Sequence, residues 1–292
     1  MLDIVEIVLP TFIVIIIGYL IGKLTKINMV PVADVAIYIG APAMFFVSLL
    51  SKEIVLFEAG KVWAAAIIIE LGCGIVAWLV FKALRQRHSG LYVSIMMMNS
   101  VNIPFPVLYL AYGMEGLFGA VLFFIPTCLL SSSLGIYILA GNHWRESIKE
   151  VFKIPMIYAA VLGLIFNLLH VNVPGLIVGA LDFIAMMALP LVLLILGYNL
   201  THVKMSSFPT TLLASFLRVG VGLAIGLLVV NLFDITGVFR SVVILISAMP
   251  AAAMSSLLAI KYNNEADLVS SMVFLTTIAG ILIIPFLLSM LA

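Results

Sequence analysis

The feature that most limits what this chain can fold into is a succession of apolar runs, each close to the length of a membrane-crossing helix, separated by short polar segments. The runs fall at 4–22, 34–50, 61–83, 90–112, 117–140, 154–170, 180–200, 211–231, 239–260 and 268–291. About 20 residues are needed to carry a helix across roughly 30 Å of hydrocarbon. No water reaches that layer to bond peptide groups, so each run is predicted to be a helix that satisfies its own backbone. Composition agrees with a lipid bilayer as the surrounding medium. Of 292 residues, 65% are hydrophobic and 9% are charged, against roughly 25% charged in soluble domains. A net charge of +1 leaves no basic face for phosphates, so no nucleic-acid partner is expected. Asp3 and Glu6 stand where a signal peptide would have a basic segment, so no cleavable leader is expected.

The basic residues orient the ten predicted spans. Alternate loops hold Lys23, Lys26, Lys82, Arg85, Arg87, Arg145, Lys149, Lys153, Lys204 and Lys261, whereas the opposite loops hold Lys52, Lys61 and Arg240. The basic-rich side is predicted to be cytoplasmic. Both termini then lie outside the cell's inner membrane.

Landmarks recur between the halves. Pro10 and Gly18 match Pro155 and Gly163, both 145 residues on; Asp34 and Pro42 match Asp182 and Pro190, both 148 on; Pro31 matches Pro174 and Pro106 matches Pro250 at 143 and 144. Two halves of five spans each are expected to be inverted relative to one another. The first repeat is residues 1–140, a cytoplasmic linker is 141–153, and the second repeat is 154–292.

The fourth span reads IMMMNSVNIPFPVLYLAYG. Proline lacks the amide proton and crowds the preceding turn, so Pro104 and Pro106 are expected to open this helix. Asn99, Ser100 and Asn102 lie within the expected break. One reading makes them substrate contacts; another has them patching the broken helix or pairing with its neighbours. The ninth span, VVILISAMPAAAMSSLLAIKYN, carries Pro250 followed by Ala251, Ala252 and Ala253. Small residues there allow another backbone to approach closely. Two broken helices at equivalent positions of inverted repeats can cross, and half-helix N-termini then aim partial positive charge at the crossing, which suits an anion.

Glu70 and Arg218 fall deep in the third and eighth spans, 148 residues apart. Ionisable groups at membrane depth are costly and mark function by default. Ion coupling through Glu70, Arg218 and Lys261 is one reading; a structural ion pair for the first two, and solvated span ends for Lys261, Asp34 and Asp182, is the other. Ser131, Ser132 and Ser133 fit either a polar cavity or helix packing. Cys73 and Cys128 are expected to be buried free thiols. The four histidines show no metal-ligand spacing and no nucleotide-binding loop occurs, so no metal, cofactor or catalytic activity is expected. Gly18, Gly22 and Gly163 fit either a homodimer face or packing within one chain.

These residues together resemble the auxin efflux carrier family, which includes plant PIN carriers and bacterial permeases for small dicarboxylates. The segment NSVNIPFPVLYLAYG is similar to that family's asparagine-rich stretch ending in a crossover proline and a Tyr-Gly pair. The segment MPAAAMSSLLAIKYNNEADLVSSMVF is similar to its second crossover proline, followed by Leu-Ala, a basic residue and Tyr. The resemblance implies that Pro106 and Pro250 are the crossover prolines and that Asn99 is the substrate-site asparagine. Pro104 departs from the pattern, where members carry glycine. The long hydrophilic loop of the plant carriers is absent, which points to a bacterial-type permease. The implied fold is all-α, ten transmembrane helices in two inverted five-helix repeats with crossed, broken helices 4 and 9, similar to bile-acid symporters and sodium/proton antiporters. Helices 1, 2, 6 and 7 would form a scaffold domain and the rest a transport domain.

The expectation is a carrier of a small organic anion, a malonate-like or malate-like carboxylate or an auxin-like acid, by alternating access. Asn99, Ser100, Asn102, Pro104, Pro106, Pro250, Ala251 and Ala252 would contact the substrate. A proton- or sodium-coupled carrier of another solute and a non-transporting membrane receptor are the alternatives.

Overall fold

The structure, a computed structural model, describes residues 2–139, 149–203 and 205–291, and all regular structure among them is helical. Residues 141–148 of the predicted linker, with Arg145, and Lys204 lie outside the described residues. The helices are α1 (Leu2–Leu24), α2 (Val30–Leu50), α3 (Leu56–Ala83), α4 (Ser89–Met96), α5 (Pro104–Leu139), α6 (Pro155–Leu168), α7 (Gly175–Asn199), α8 (Phe208–Leu232), α9 (Gly237–Ser247), α10 (Ala253–Lys261) and α11 (Ala266–Leu291). Among them α1, α2, α3, α5, α7, α8 and α11 are long and apolar enough to cross a membrane, and α6 and α9 are shorter apolar helices.

The predicted spans at 90–112 and 239–260 each appear as two pieces with irregular backbone between them. The predicted boundary between the fourth and fifth spans survives within α5, where Gly113 leaves helical geometry (φ 61°, ψ −146°). Glycine enters that region without a Cβ clash. Three turns are wider than α-helical, at Ala36–Gly40, Ser131–Gly135 and Leu217–Val221. The first precedes Pro42, which cannot continue the hydrogen-bond ladder, so a widened turn absorbs the mismatch. The other two contain no proline and carry Ser131 and Arg218.

Packing sorts the helices into two groups. In the first, α1 lies against α7, α2 against both α6 and α7. The α1–α7 approach is backbone to backbone: a Cβ on Gly18 would sit 2.1 Å from the Leu194 carbonyl oxygen, and one on Gly197 would sit 1.9 Å from that of Ile15. In lipid the attraction between helices is van der Waals contact, which small residues maximise. Gly22 faces Thr201 and Gly163 faces Leu49, so the glycine faces considered for a homodimer all pack within the chain. In the second group α3, α4, α5, α8, α9, α10 and α11 pack together, with α5 against α3 and α9, and α8 against α3, α9 and α11. The groups meet where α1 touches α5 and α11 and where α2 touches α5. An aromatic cluster reinforces the α2–α5 contact, with the Phe45 ring 5.4 Å from Phe105 and 4.9 Å edge-on from Phe124. Leu176, Phe183, Leu282 and Phe286 project outward, as side chains bathed in hydrocarbon do. Cys73 and Cys128 are buried free thiols.

Candidate functional site

The irregular stretches at 97–103 and 248–252 meet in the interior. The Asn99 amide donates to the Pro250 carbonyl at 2.8 Å, and the Ala252 amide donates to the Met97 carbonyl at 2.8 Å. Met98 and Ala251 thereby form a one-residue antiparallel bridge. Extended backbone permits this, since Met97 (φ −74°, ψ 95°) and Ala252 (φ −67°, ψ 133°) have left helical geometry. The small side chains of Ala251 and Ala252 allow the approach that the run of alanines suggested. The Ala251 amide donates to Thr276 Oγ1 on α11 at 3.1 Å. Backbone groups freed from a helix inside a membrane must find partners in protein or an aqueous cavity, and these have found one another.

The prolines act differently from a simple kink. The first break lies upstream of both, and Pro104 and Pro106 sit at the first and third positions of α5, buried. The opening amides of a helix have no intrahelical acceptor, so a missing amide proton is tolerated there. Asn99 and Ser100 are buried and Asn102 is half-buried. Asn99 Oδ1 accepts from the Asn102 amide at 2.9 Å. That bond leaves the side-chain nitrogen Nδ2 of Asn99 as a buried donor without a hydrogen-bond partner among the described residues.

Arg218 is fully buried. Its Nη1 donates to the carbonyls of Ile95 at 2.6 Å and Met96 at 3.3 Å, and its Nη2 to that of Ser247 at 2.7 Å. One guanidinium thus closes the C-terminal ends of α4 and α9, where orphan carbonyls and the negative end of the helix dipole attract a cation. Gly222 makes room for it: a Cβ there would lie 2.2 Å from both Arg218 Nη2 and the Ser247 oxygen. Gly226, one turn further, similarly clears Ser247 Oγ.

The pairing of Glu70 with Arg218, one of two readings from their equivalent positions, is not made. Glu70 is fully buried, and its Oε1 instead accepts from Ser131 Oγ at 2.5 Å, while its Oε2 has no hydrogen-bond partner among the described residues. Of the serine cluster, Ser131 therefore serves Glu70, and Ser133 bonds back to the Leu129 carbonyl. Lys261 ends α10 and is bonded to Glu150 Oε1 at 2.9 Å, as is Lys153. Eight residues of helix separate it from the break, about 12 Å of rise, so it stands apart from the other candidates. These hydrogen bonds hold the Glu150 carboxyl below its ordinary range and Lys261 above its own.

Two cavities lie along the seam between the helix groups. One is lined by Asn199 at the end of α7, by Val203 beyond it and by Ala253, Ser256, Ile260 and Ser270. It runs beside α10 from its first residue, Ala253, to Ile260. The other is lined by Met44, Tyr109, Met114, Asp182 and Leu189. Asp182, read from the sequence as a solvated end, lies seven residues inside α7 and faces this cavity. Neither cavity is lined by Asn99, Ser100 or Asn102. Thr276 and the carbonyl contacts of Arg218 were not foreseen from sequence. A threonine in an apolar helix carries no mark of the distant amide it accepts from.

A multi-span helical protein with irregular backbone enclosed at its core has the build of a membrane transporter. The chain belongs to the membrane transport protein family, whose sequence profile matches residues 143–288, and is a permease-type member of the auxin efflux carrier family that its sequence resembles. It is similar to an uncharacterized transporter of Methanothermobacter thermautotrophicus, 29% identical over 294 residues and 96% of each chain. An uncharacterized transporter of Methanocaldococcus jannaschii is 26% identical over 298 residues, again 96% of each chain.

Proposed function

We propose that this transporter is a carrier of a small organic anion that binds where the interruptions at 97–103 and 248–252 meet. In this reading the chain crosses the inner membrane ten times as two inverted five-helix repeats, 1–140 and 154–292, joined by the cytoplasmic linker 141–153, with both termini outside. The pieces α4 with the start of α5, and α9 with α10, are the crossed broken helices. The group α1, α2, α6 and α7 is the scaffold, the remaining helices move against it, and the cavities on the seam are the paths by which access alternates. Asn99, Ser100, Asn102, Pro104, Pro106, Pro250, Ala251 and Ala252 form the contact region.

The observation that carries this reading is the buried side-chain nitrogen Nδ2 of Asn99, a donor without an acceptor among the described residues, close in the chain to the start of α5 and bonded through its own backbone to the break before α10. A donor left unmatched in a dry interior is costly, and a carboxylate oxygen would match it. Uptake of labelled dicarboxylates into proteoliposomes is the test, preceded by a thermal-shift screen of carboxylates, since a ligand of the folded state raises its melting temperature. Asn99→Ala is expected to abolish uptake while the protein still inserts and folds; unchanged uptake refutes the assignment.

A second reading, coupling to protons through Glu70, has its own support in the buried Oε2, which has no hydrogen-bond partner among the described residues. Glu70→Gln should then uncouple transport from the proton gradient. If uptake stays equally proton-dependent, Glu70 is structural.

A further inference from the structure

We propose that Arg218 is a built-in cation that replaces a bound metal ion at the helix breaks, so that this carrier works without sodium. Three carbonyl oxygens at the C-terminal ends of two different helices face one guanidinium, those of Ile95 and Met96 accepting from Nη1 and that of Ser247 from Nη2. Converging carbonyls at half-helix ends are the chemistry by which carriers with broken helices hold a sodium ion. Here the space between the two helix ends is filled by a guanidinium, fully buried. The surroundings are shaped for it rather than merely tolerant of it. Gly222 has no Cβ because one would overlap Arg218 Nη2, and the widened turn Leu217–Val221 carries the side chain inward.

The guanidinium is tethered to α8 through the widened turn Leu217–Val221. It can neither be released to one side of the membrane nor exchanged with solvent, so it cannot be the coupling ion. It holds the two breaks together throughout the cycle and supplies the positive charge that a sodium ion would otherwise bring. Arg218 is in this sense a positioning residue. The inference rests on the carrier reading only for its bearing on transport; its thermodynamic part stands alone.

The full-length protein in nanodiscs should melt at the same temperature in sodium chloride and in choline chloride of equal ionic strength. Arg218→Ala should lower the melting temperature by roughly 10 °C, because three buried carbonyls lose their partner. Guanidinium ion or sodium ion added to that variant should recover about 3 °C or more by occupying the same oxygens. Sodium-specific stabilisation of the wild type overturns the proposal, as does an Arg218→Ala variant that melts with the wild type or responds to neither cation. If Arg218→Ala does not accumulate, Arg218→Lys decides: its ammonium keeps the charge, so it should fold and melt without sodium dependence, and sodium-dependent melting overturns the proposal. Uptake by the wild type should run equally in sodium and in choline; uptake that needs sodium also overturns it. Absence of any carboxylate uptake counts against the carrier reading and leaves the melting comparison intact.

Discussion

Replacing Gly222 by alanine tests the clamp without touching Arg218 itself. The added Cβ would lie 2.2 Å from Arg218 Nη2 and 2.2 Å from the Ser247 carbonyl oxygen, over an ångström inside normal contact. One of them must move, and because the oxygen is backbone and α8 packs against α9, the guanidinium gives way. The Nη2–Ser247 bond of 2.7 Å is then lost. A hydrogen bond to a charged group contributes about 1.5–3 kcal/mol, and overpacking adds roughly 1–3 kcal/mol. Their sum is about 2.5–6 kcal/mol, which lowers the melting temperature by roughly 5–24 °C for a chain of this size. The assay is thermal unfolding of the purified protein followed by tryptophan fluorescence. Gly60→Ala is the control, since nothing lies within 4 Å of a Cβ there and alanine favours the helix. It should melt at or slightly above the wild type. A Gly222→Ala variant that melts with this control would refute the proposed role of the space beside Gly222.

Thr276→Val leaves the buried Ala251 amide without its acceptor at the point where the breaks meet. A cost of about 1–3 kcal/mol is expected, read as a lower melting temperature, and an unchanged one would show that the bridge does not need this support. The Glu150 contact with Lys153 and Lys261 is exposed and should be weak. Its carboxyl is held below the ordinary 4.5, so its contribution is present above that value and fades as pH falls through the lowered one. Lys261 is held above 10.5, so its part is present below that value and is lost as pH rises through the raised one. Glu150→Gln should therefore cost little at neutral pH and nothing at high salt; a large, salt-independent loss would contradict this.

The helices were legible because lipid leaves an apolar run no alternative to bonding its own backbone, and the spans at 61–83 and 211–231 correspond to α3 and α8 within a few residues. The two interruptions were legible through proline, although Pro104 and Pro106 begin a helix where the sequence suggested that they break one. A proline restricts the turn before it but is welcome at a helix start, and the residue pattern alone does not say which use applies. Asn99 and Asn102 were marked because amides are rare at membrane depth.

What the sequence could not decide was which polar groups meet. Glu70 and Arg218 stand at matching positions of the two halves and invite pairing, yet Glu70 takes Ser131 and Arg218 takes the carbonyls of Ile95, Met96 and Ser247. Every residue has a carbonyl, so an acceptor of this kind leaves no trace in the choice of amino acid. The pairing of Asn99 with Pro250 and of Ala252 with Met97 is likewise backbone to backbone across about 150 residues of chain. The sequence by itself determined where the chain is helical and where it must break. Only the tertiary structure decided that the breaks bond each other under one arginine, because those bonds use groups that all residues share.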